Sequence, residues 1–247
     1  GVQTCALPIF ESTADAAYQS RLAKAIDMHF AGRMINSPND YDVVIKLIPT
    51  KNDNYFVCMR LCSIQDNRFA YRKNVLPTSM HPSQAALIVS LAKPYLKETA
   101  QIMDPFCGVG TLLIERAHLV PAREIYATDT YGDAITMGRE NAAFAKTRIN
   151  FIHRDFFDFR HDYKFDELIT DMPVRNRQTK AEMELFYERF FDKAAEHLVS
   201  GGIIVMYSNE IGFVKKQIRL RVEYRLLQET CILDKNDFYL FVIRYED

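Results

Sequence analysis

No run of about twenty apolar residues interrupts the 247-residue chain, and its opening carries neither the basic segment nor the apolar centre of a secretory signal. A membrane-spanning helix is therefore not expected, and the reading is of a soluble, cytoplasmic protein. The five cysteines, Cys5, Cys58, Cys62, Cys107 and Cys231, form no paired CxxC pattern. Their odd number argues against a disulfide framework or a zinc cage, so reduced thiols are expected. Six histidines stand without the i, i+4 or short-spaced carboxylate partners that a metal site needs, and no metal is assigned. With 31 basic against 32 acidic residues there is no global charge to attract a polyanion. A nucleic-acid surface, if there is one, must be local.

What is present is enough apolar residue, 48% of the chain, for one large α/β domain and a short appendage. Residues 1–9 resemble the conceptual translation of a sequencing-library adapter. They are set aside from fold reasoning, with the expectation that the natural chain begins upstream of Phe10 and carried a domain there. Apolar residues at three- to five-residue spacing predict a helix over 11–35, broken by Asn36-Ser37-Pro38-Asn39-Asp40. Two β-rich runs, 43–48 and 55–61, flank a polar loop and read as a hairpin. Together, residues 10–66 form a small α/β remnant, and 67–81 a linker.

From residue 82 strands alternate with helices, which is the pattern of a parallel sheet covered on both faces. Helices are expected at 82–93, 110–119, 133–146 and 180–198, and strands at 101–104, 124–128, 149–153 and 167–170. Gly201-Gly202 turns into an apolar strand at 203–207, and runs 222–233 and 238–245 close the chain as an antiparallel hairpin. Lys215, Lys216, Arg219 and Arg221 read as the solvated edge of a helix.

The string Asp104-Pro105-Phe106-Cys107-Gly108-Val109-Gly110-Thr111 sits where the first of these parallel strands meets its helix. Glycines at 108 and 110 let the backbone turn tightly and approach a ligand where a Cβ would collide. The N–H groups of the following helix favour a carboxylate at the same spot. Asp129 ends the next strand, near the spacing at which an acid accepts hydrogen bonds from ribose hydroxyls. Asp155-Phe156 follows the third, offering a carboxylate to an adenine amine and a ring to its face. Singly each acid is an ordinary strand-end residue; collectively they fall where nucleoside ligands bind.

The fourth strand ends in Thr170-Asp171-Met172-Pro173-Val174. A neutral exocyclic amine is a poor nucleophile, and an enzyme that alkylates it must aim the nitrogen lone pair. A carboxylate at 171 and a backbone carbonyl at Met172 or Pro173 can do so by accepting its hydrogens.

These residues resemble the THUMP-associated RNA methyltransferases, over about residues 40–247, and a bacterial branch of RNA methylases within them. The resemblance includes Phe69-Ala70-Tyr71-Arg72-Lys73 and Met80-His81-Pro82. It implies a Rossmann-like, seven-stranded methyltransferase sheet at 82–247, preceded by the tail of a THUMP-like RNA-binding region. It also implies S-adenosylmethionine as cofactor and methylation of an RNA base amine, with guanine N2 of tRNA or rRNA the expected acceptor. The cofactor residues implied are His81, Asp104, Phe106, Gly108, Gly110, Thr111, Asp129, Asp155 and Phe156. Catalysis falls to Asp171, Met172 and Pro173, and RNA contacts to Tyr71, Arg72 and Arg175. Arg68, Lys73, Arg177 and Lys180 could add phosphate contacts.

The family's fourth-strand motif carries Asp or Asn, two prolines and an aromatic residue, so Met172 and Val174 depart from it. Val174 removes the ring on which a flipped base stacks, leaving Tyr71 or Phe106 to replace it. Two other readings stay open: a DNA adenine methyltransferase, which uses the same strand-end logic on a flipped base, and a SAM-binding RNA scaffold with impaired catalysis.

Overall fold

The computed structural model describes residues 4–6, 16–31, 35–36, 43–50, 54–61, 67–233 and 238–247. The breaker at 37–40 and the hairpin loop at 234–237 lie outside the described residues, as does the start of the first expected helix. The chain divides into two compact units, Gly1–Asn67 and Arg68–Asp247. In the first, β1 (Thr4–Ala6), α1 (Ala16–Phe30), β2 (Ile35–Asn36), β3 (Val43–Pro49) and β4 (Tyr55–Leu61) follow in order. Their sheet runs β2-β1-β3-β4, with β3 and β4 antiparallel and Ile45 opposite Met59, the hairpin read from sequence. Strand β1 falls among the nine residues set aside, and it pairs parallel with both β2 and β3.

The second unit begins with an irregular segment and then α2 (Pro82–Ala92), β5 (Gln101–Asp104), α3 (Thr111–Leu119), β6 (Glu124–Asp129) and α4 (Gly132–Phe144). Next come β7 (Asn150–His153), β8 (Phe165–Asp171), α5 (Lys180–His197), β9 (Leu198–Ser208), α6 (Ile211–Leu220), β10 (Tyr224–Leu233) and β11 (Phe238–Tyr245). The sheet order is β10-β11-β9-β8-β5-β6-β7. Strands β5 to β9 are mutually parallel, while β11 runs antiparallel to β9 and β10 to β11. This is the Rossmann-like seven-stranded sheet with a C-terminal hairpin expected from the sequence. Within this unit β9 departs most from its expected bounds: it begins at Leu198, so Gly201 and Gly202 lie inside the strand rather than before it.

Period-two alternation sends successive side chains to opposite faces. Ile102, Ile169 and Val205 pack with Ile88 and Leu113 under α2 and α3. Their neighbours Met103, Leu168, Ile204 and Met206 pack with Phe190 and Phe191 of α5. Proline at the first position of α2 supplies a preset φ, and the Thr179 and Glu182 side chains close a reciprocal capping box at the start of α5.

One ion pair is buried within the first of these layers. Arg116 on α3 and Glu167 on β8 are both fully covered, and the guanidinium donates to the carboxylate at 2.9 and 3.0 Å. It also donates to the carbonyls of Val120 and Lys97. Removing one partner of such a pair strands a charge in the interior. Arg116→Met is therefore expected to cost about 3–5 kcal/mol in urea-induced unfolding, and Arg116→Met combined with Glu167→Leu should recover part of that loss.

Candidate active site

Chain order reverses between β5 and β8: β6 and β7 extend the sheet to one side, β9 to the other. Ligands of open parallel sheets bind in the crevice beyond such a switch point. Asp104 ends β5 and Asp171 ends β8, so both carboxylates stand at its rim. A cavity of about 640 Å³ occupies this place, lined by Asp104, Phe106, Gly108, Thr111, Asp129 and Asp171, among others.

The glycine loop owes its shape to two left-handed residues. Gly108 has φ +51° and Gly110 φ +78°, and a Cβ on Gly110 would lie 2.7 Å from the Phe151 ring. Asp129 fixes the loop from the neighbouring strand: one carboxylate oxygen accepts from Gly108 N–H at 2.8 Å, the other from Tyr131 N–H at 2.8 Å. Helix α3 starts immediately after, so the N–H groups of its first turn have no acceptor within the helix. The hydroxyl of Thr111 is buried on the cavity wall without a partner among the described residues. An unpartnered buried hydroxyl beside free helix N–H groups is what a ligand carboxylate would satisfy.

The site is acidic, and two of its acids, Asp104 and Asp171, are perturbed. Burial raises the Asp104 carboxyl to about 8, and the nearby charges of Asp171 and Asp129 push the same way. Its Oδ1 accepts from Phe106 N–H at 3.0 Å. Burial alone raises Asp171 to about 7. Burial also raises the Cys107 thiol, which keeps it neutral. Among the described residues, no three His, Cys, Asp or Glu side chains cluster as metal ligands, and no helix is long and apolar enough to cross a membrane.

The residues read from the sequence divide into two groups. Asp104, Phe106, Gly108, Thr111, Asp129, Asp171, Met172, Pro173 and Arg175 line the one cavity, with Gly110 behind them as the helix cap. Met172 contributes backbone more than side chain, since it is 2% exposed and its N–H donates to the Tyr207 carbonyl. The others do not line that cavity. Phe156 is 1% exposed, packed edge-on to Phe106 and tilted against Phe190, so neither face can cover an adenine. Asp155 caps the short 3-10 turn Phe156–Asp158 through Phe157 N–H. Tyr71 is buried and donates to Glu115 at 2.5 Å, which rules it out as a stacking ring. Arg72 donates to the carbonyls of Ser79 and Met80. His81 caps α2 by accepting from Ser83 N–H.

Part of the cavity wall is held in place by residues of this second group. Buried Asn141 on α4 accepts from the N–H groups of Lys73 and Asn74 and donates back to the Asn74 carbonyl. With Tyr71 and Arg72 it holds the segment before α2 so that Leu76, Thr78, Ser79 and Met80 line the cavity. Sequence reasoning passed over Leu76, Thr78 and Ser79 and quoted Met80 only within the resemblance. The turn composition of Leu76-Pro77-Thr78-Ser79, closed by Ser79 Oγ accepting from Leu76 N–H, was the available signal.

Residues 70–230 match the family described as UPF0020, RMKL-like, methyltransferase domain. A tRNA (guanine(10)-N2)-dimethyltransferase of Methanothermobacter thermautotrophicus is 31% identical over 187 residues, which is 71% of this chain and 54% of that protein. A release factor glutamine methyltransferase of Lactococcus lactis is 25% identical over 155 residues, 55% of this chain and 56% of that one. The chain thus spans about half the length of these curated relatives. Among solved structures, TrmN from Thermus thermophilus superposes with a TM-score of 0.70 at 18% identity, covering 98% of this chain and 71% of that one. SMU.472 complexed with SAH gives 0.70 at 17% identity, covering 100% and 76%. Such identities speak for the fold. The family match runs from the segment that holds the cavity wall into β10, and on that ground the chain belongs to the UPF0020 family of RMKL-like methyltransferase domains.

Proposed function

We propose that the protein methylates the exocyclic amine of an RNA base, with guanine N2 in tRNA the favoured acceptor and S-adenosylmethionine the donor. The observation that carries this is the meeting of Asp171-Met172-Pro173 and the glycine loop in one cavity. The naming of a relative as a tRNA guanine-N2 enzyme supports the acceptor. The first unit is taken as part of a THUMP-like RNA-binding region.

The donor, when bound, supplies an electrophilic methyl on a cationic sulfur. The chain's own groups suit it. The first turn of α3 and Thr111 would hold its carboxylate and Asp129 its ribose, and its positive charges would favour the ionised forms of Asp104 and Asp171. Asp171 accepts a hydrogen bond from the amine and, with Met172 or Pro173 carbonyl oxygen, turns the nitrogen lone pair toward the methyl. As the C–N bond forms and the C–S bond breaks, the nitrogen sheds a proton, and a carboxylate titrating near 7 is matched to take it.

Methyl transfer from labelled donor to bulk tRNA measures the activity, with duplex DNA as competitor. Asp171→Ala is expected to lower kcat/KM by about 100-fold or more, the scale of losing one well-placed polar group in a site; an unaffected rate would remove Asp171 from the mechanism, and preference for DNA would favour the DNA reading. With wild type, kcat/KM should rise with pH through about 7 as Asp171 ionises. Asp171→Asn, which keeps an acceptor oxygen but can neither titrate nor take the proton, should lose that inflection and stay at or below the wild type's low-pH rate.

Asp104 makes a separate mark on stability. Its folded form holds a proton that the unfolded chain releases above about pH 4, so this group's contribution is greatest at low pH and is lost as pH rises toward 8. Asp104→Asn keeps the acceptor for Phe106 N–H and avoids the cost. Thermal unfolding without donor should show the variant more stable by over ~1 kcal/mol at pH 8 and equal to wild type near pH 4.

A further inference from the structure

A second cavity, of about 280 Å³, adjoins the first: Pro173 and Val174 line both. Its remaining wall comes from the approach to α5 and that helix itself, with Gln178, Met183, Leu185, Phe186 and Arg189. The two cavities also share an aromatic wall. Phe106, on the first, lies 5.4 Å from Phe186, on the second, centroid to centroid, and Phe157 stands 5.5 Å from Phe186. The guanidinium of Arg189 sits over the Phe157 ring at 4.2 Å.

This arrangement has the chemistry of a stacking site. A guanidinium held over one ring presents its other face to a second flat π system. Val174 and Leu185 are 51% and 54% exposed, apolar side chains that water covers poorly. The Gln178 side-chain oxygen accepts from the N–H groups of Asn176 and Arg177, which leaves its NH2 as a donor on the wall. The volume suits one planar ring system. An aliphatic amide side chain would make no use of the Arg189–Phe157 stack.

We propose that this second cavity receives the ring of the acceptor base, so that α5, through Phe186 and Arg189, provides the platform that Val174 does not. The amine then reaches Asp171 across Pro173. The inference rests on the base-amine reading and assigns that base its binding residues.

Two measurements test it. Arg189→Ala, Arg189→Lys and Leu185→Glu alter exposed positions and leave Asp104, Asp129 and Asp171 in place. Calorimetry should show SAH affinity within about twofold of wild type for all three. Methyl transfer to bulk tRNA should fall about 5- to 150-fold in kcat/KM, the equivalent of ~1–3 kcal/mol for one stacked base. Lysine, which keeps the charge but not the plane, should fail to rescue. Independently of turnover, a single-stranded RNA heptamer carrying one 2-aminopurine, mixed with SAH-saturated protein, should change its fluorescence with wild type and not with the variants. Methyl transfer and fluorescence both indifferent to the three substitutions would overturn the pocket while leaving the function standing. A wild-type fluorescence change lost in the variants, without methyl transfer to RNA, would uphold the pocket and sink the function. Absence of both signals in the wild type would overturn both.

Discussion

The hydrogen bond from Gly108 N–H to Asp129 is the fastening on which the site depends. It ties the loop after β5 to the end of β6, and two further bonds reinforce it: Cys107 N–H to the Thr128 carbonyl and Thr128 hydroxyl to the Pro105 carbonyl. The loop can lie there only because Gly108 and Gly110 adopt left-handed φ and because Gly110 leaves room for Phe151, itself on β7. Three adjacent strands thus fix one backbone turn. The turn in turn sets where α3 begins, and so where its free N–H groups point.

Two buried acids on neighbouring strands show how the fold separates structure from chemistry. Glu167 enters the interior with Arg116 and is fully hydrogen-bonded. Asp104 enters it with a single backbone partner, and among the described residues no Lys or Arg forms an ion pair with it. A buried carboxylate with a partner is part of the scaffold; one without is held at a cost that ligand binding can relieve. Asp171 likewise stands buried on the cavity, its carboxyl raised by burial, whereas one oxygen of Asp155 caps a turn.

That contrast also marks what the sequence could reveal. The glycine string, the alternation of strands and helices and the strand-end acids at 104, 129 and 171 are local patterns whose geometry follows from the sheet, and they were legible. Which way a residue faces just past a strand end is not local. Sequence reasoning put Phe156 over the ligand, but the 3-10 turn that Asp155 caps rotates Phe156 into the core beside Phe190 and leaves Phe157 partly buried under Arg189. Tyr71, Arg72 and His81 stand off the cavity lining for a related reason: each carries a polar group and lies near the cavity in sequence, but each directs it to Glu115, a backbone carbonyl or a helix start. Only the contacts of Glu115 and Asn141, far away in the chain, reveal that the segment is being held.

The geometry of the first cavity specifies less than a substrate. A carboxylate and a carbonyl that accept two hydrogens suit any planar NH2 group, and a glutamine amide meets that requirement as well as a guanine does. Discrimination must come from what lies next to the nitrogen. On this chain the surface beyond Pro173 offers rings, a guanidinium and an amide donor, a combination with much to gain from a heteroaromatic ring and little from a peptide side chain. With no ring at position 174 that surface stays open, so the selectivity of the site passes from the strand-end motif to helix α5.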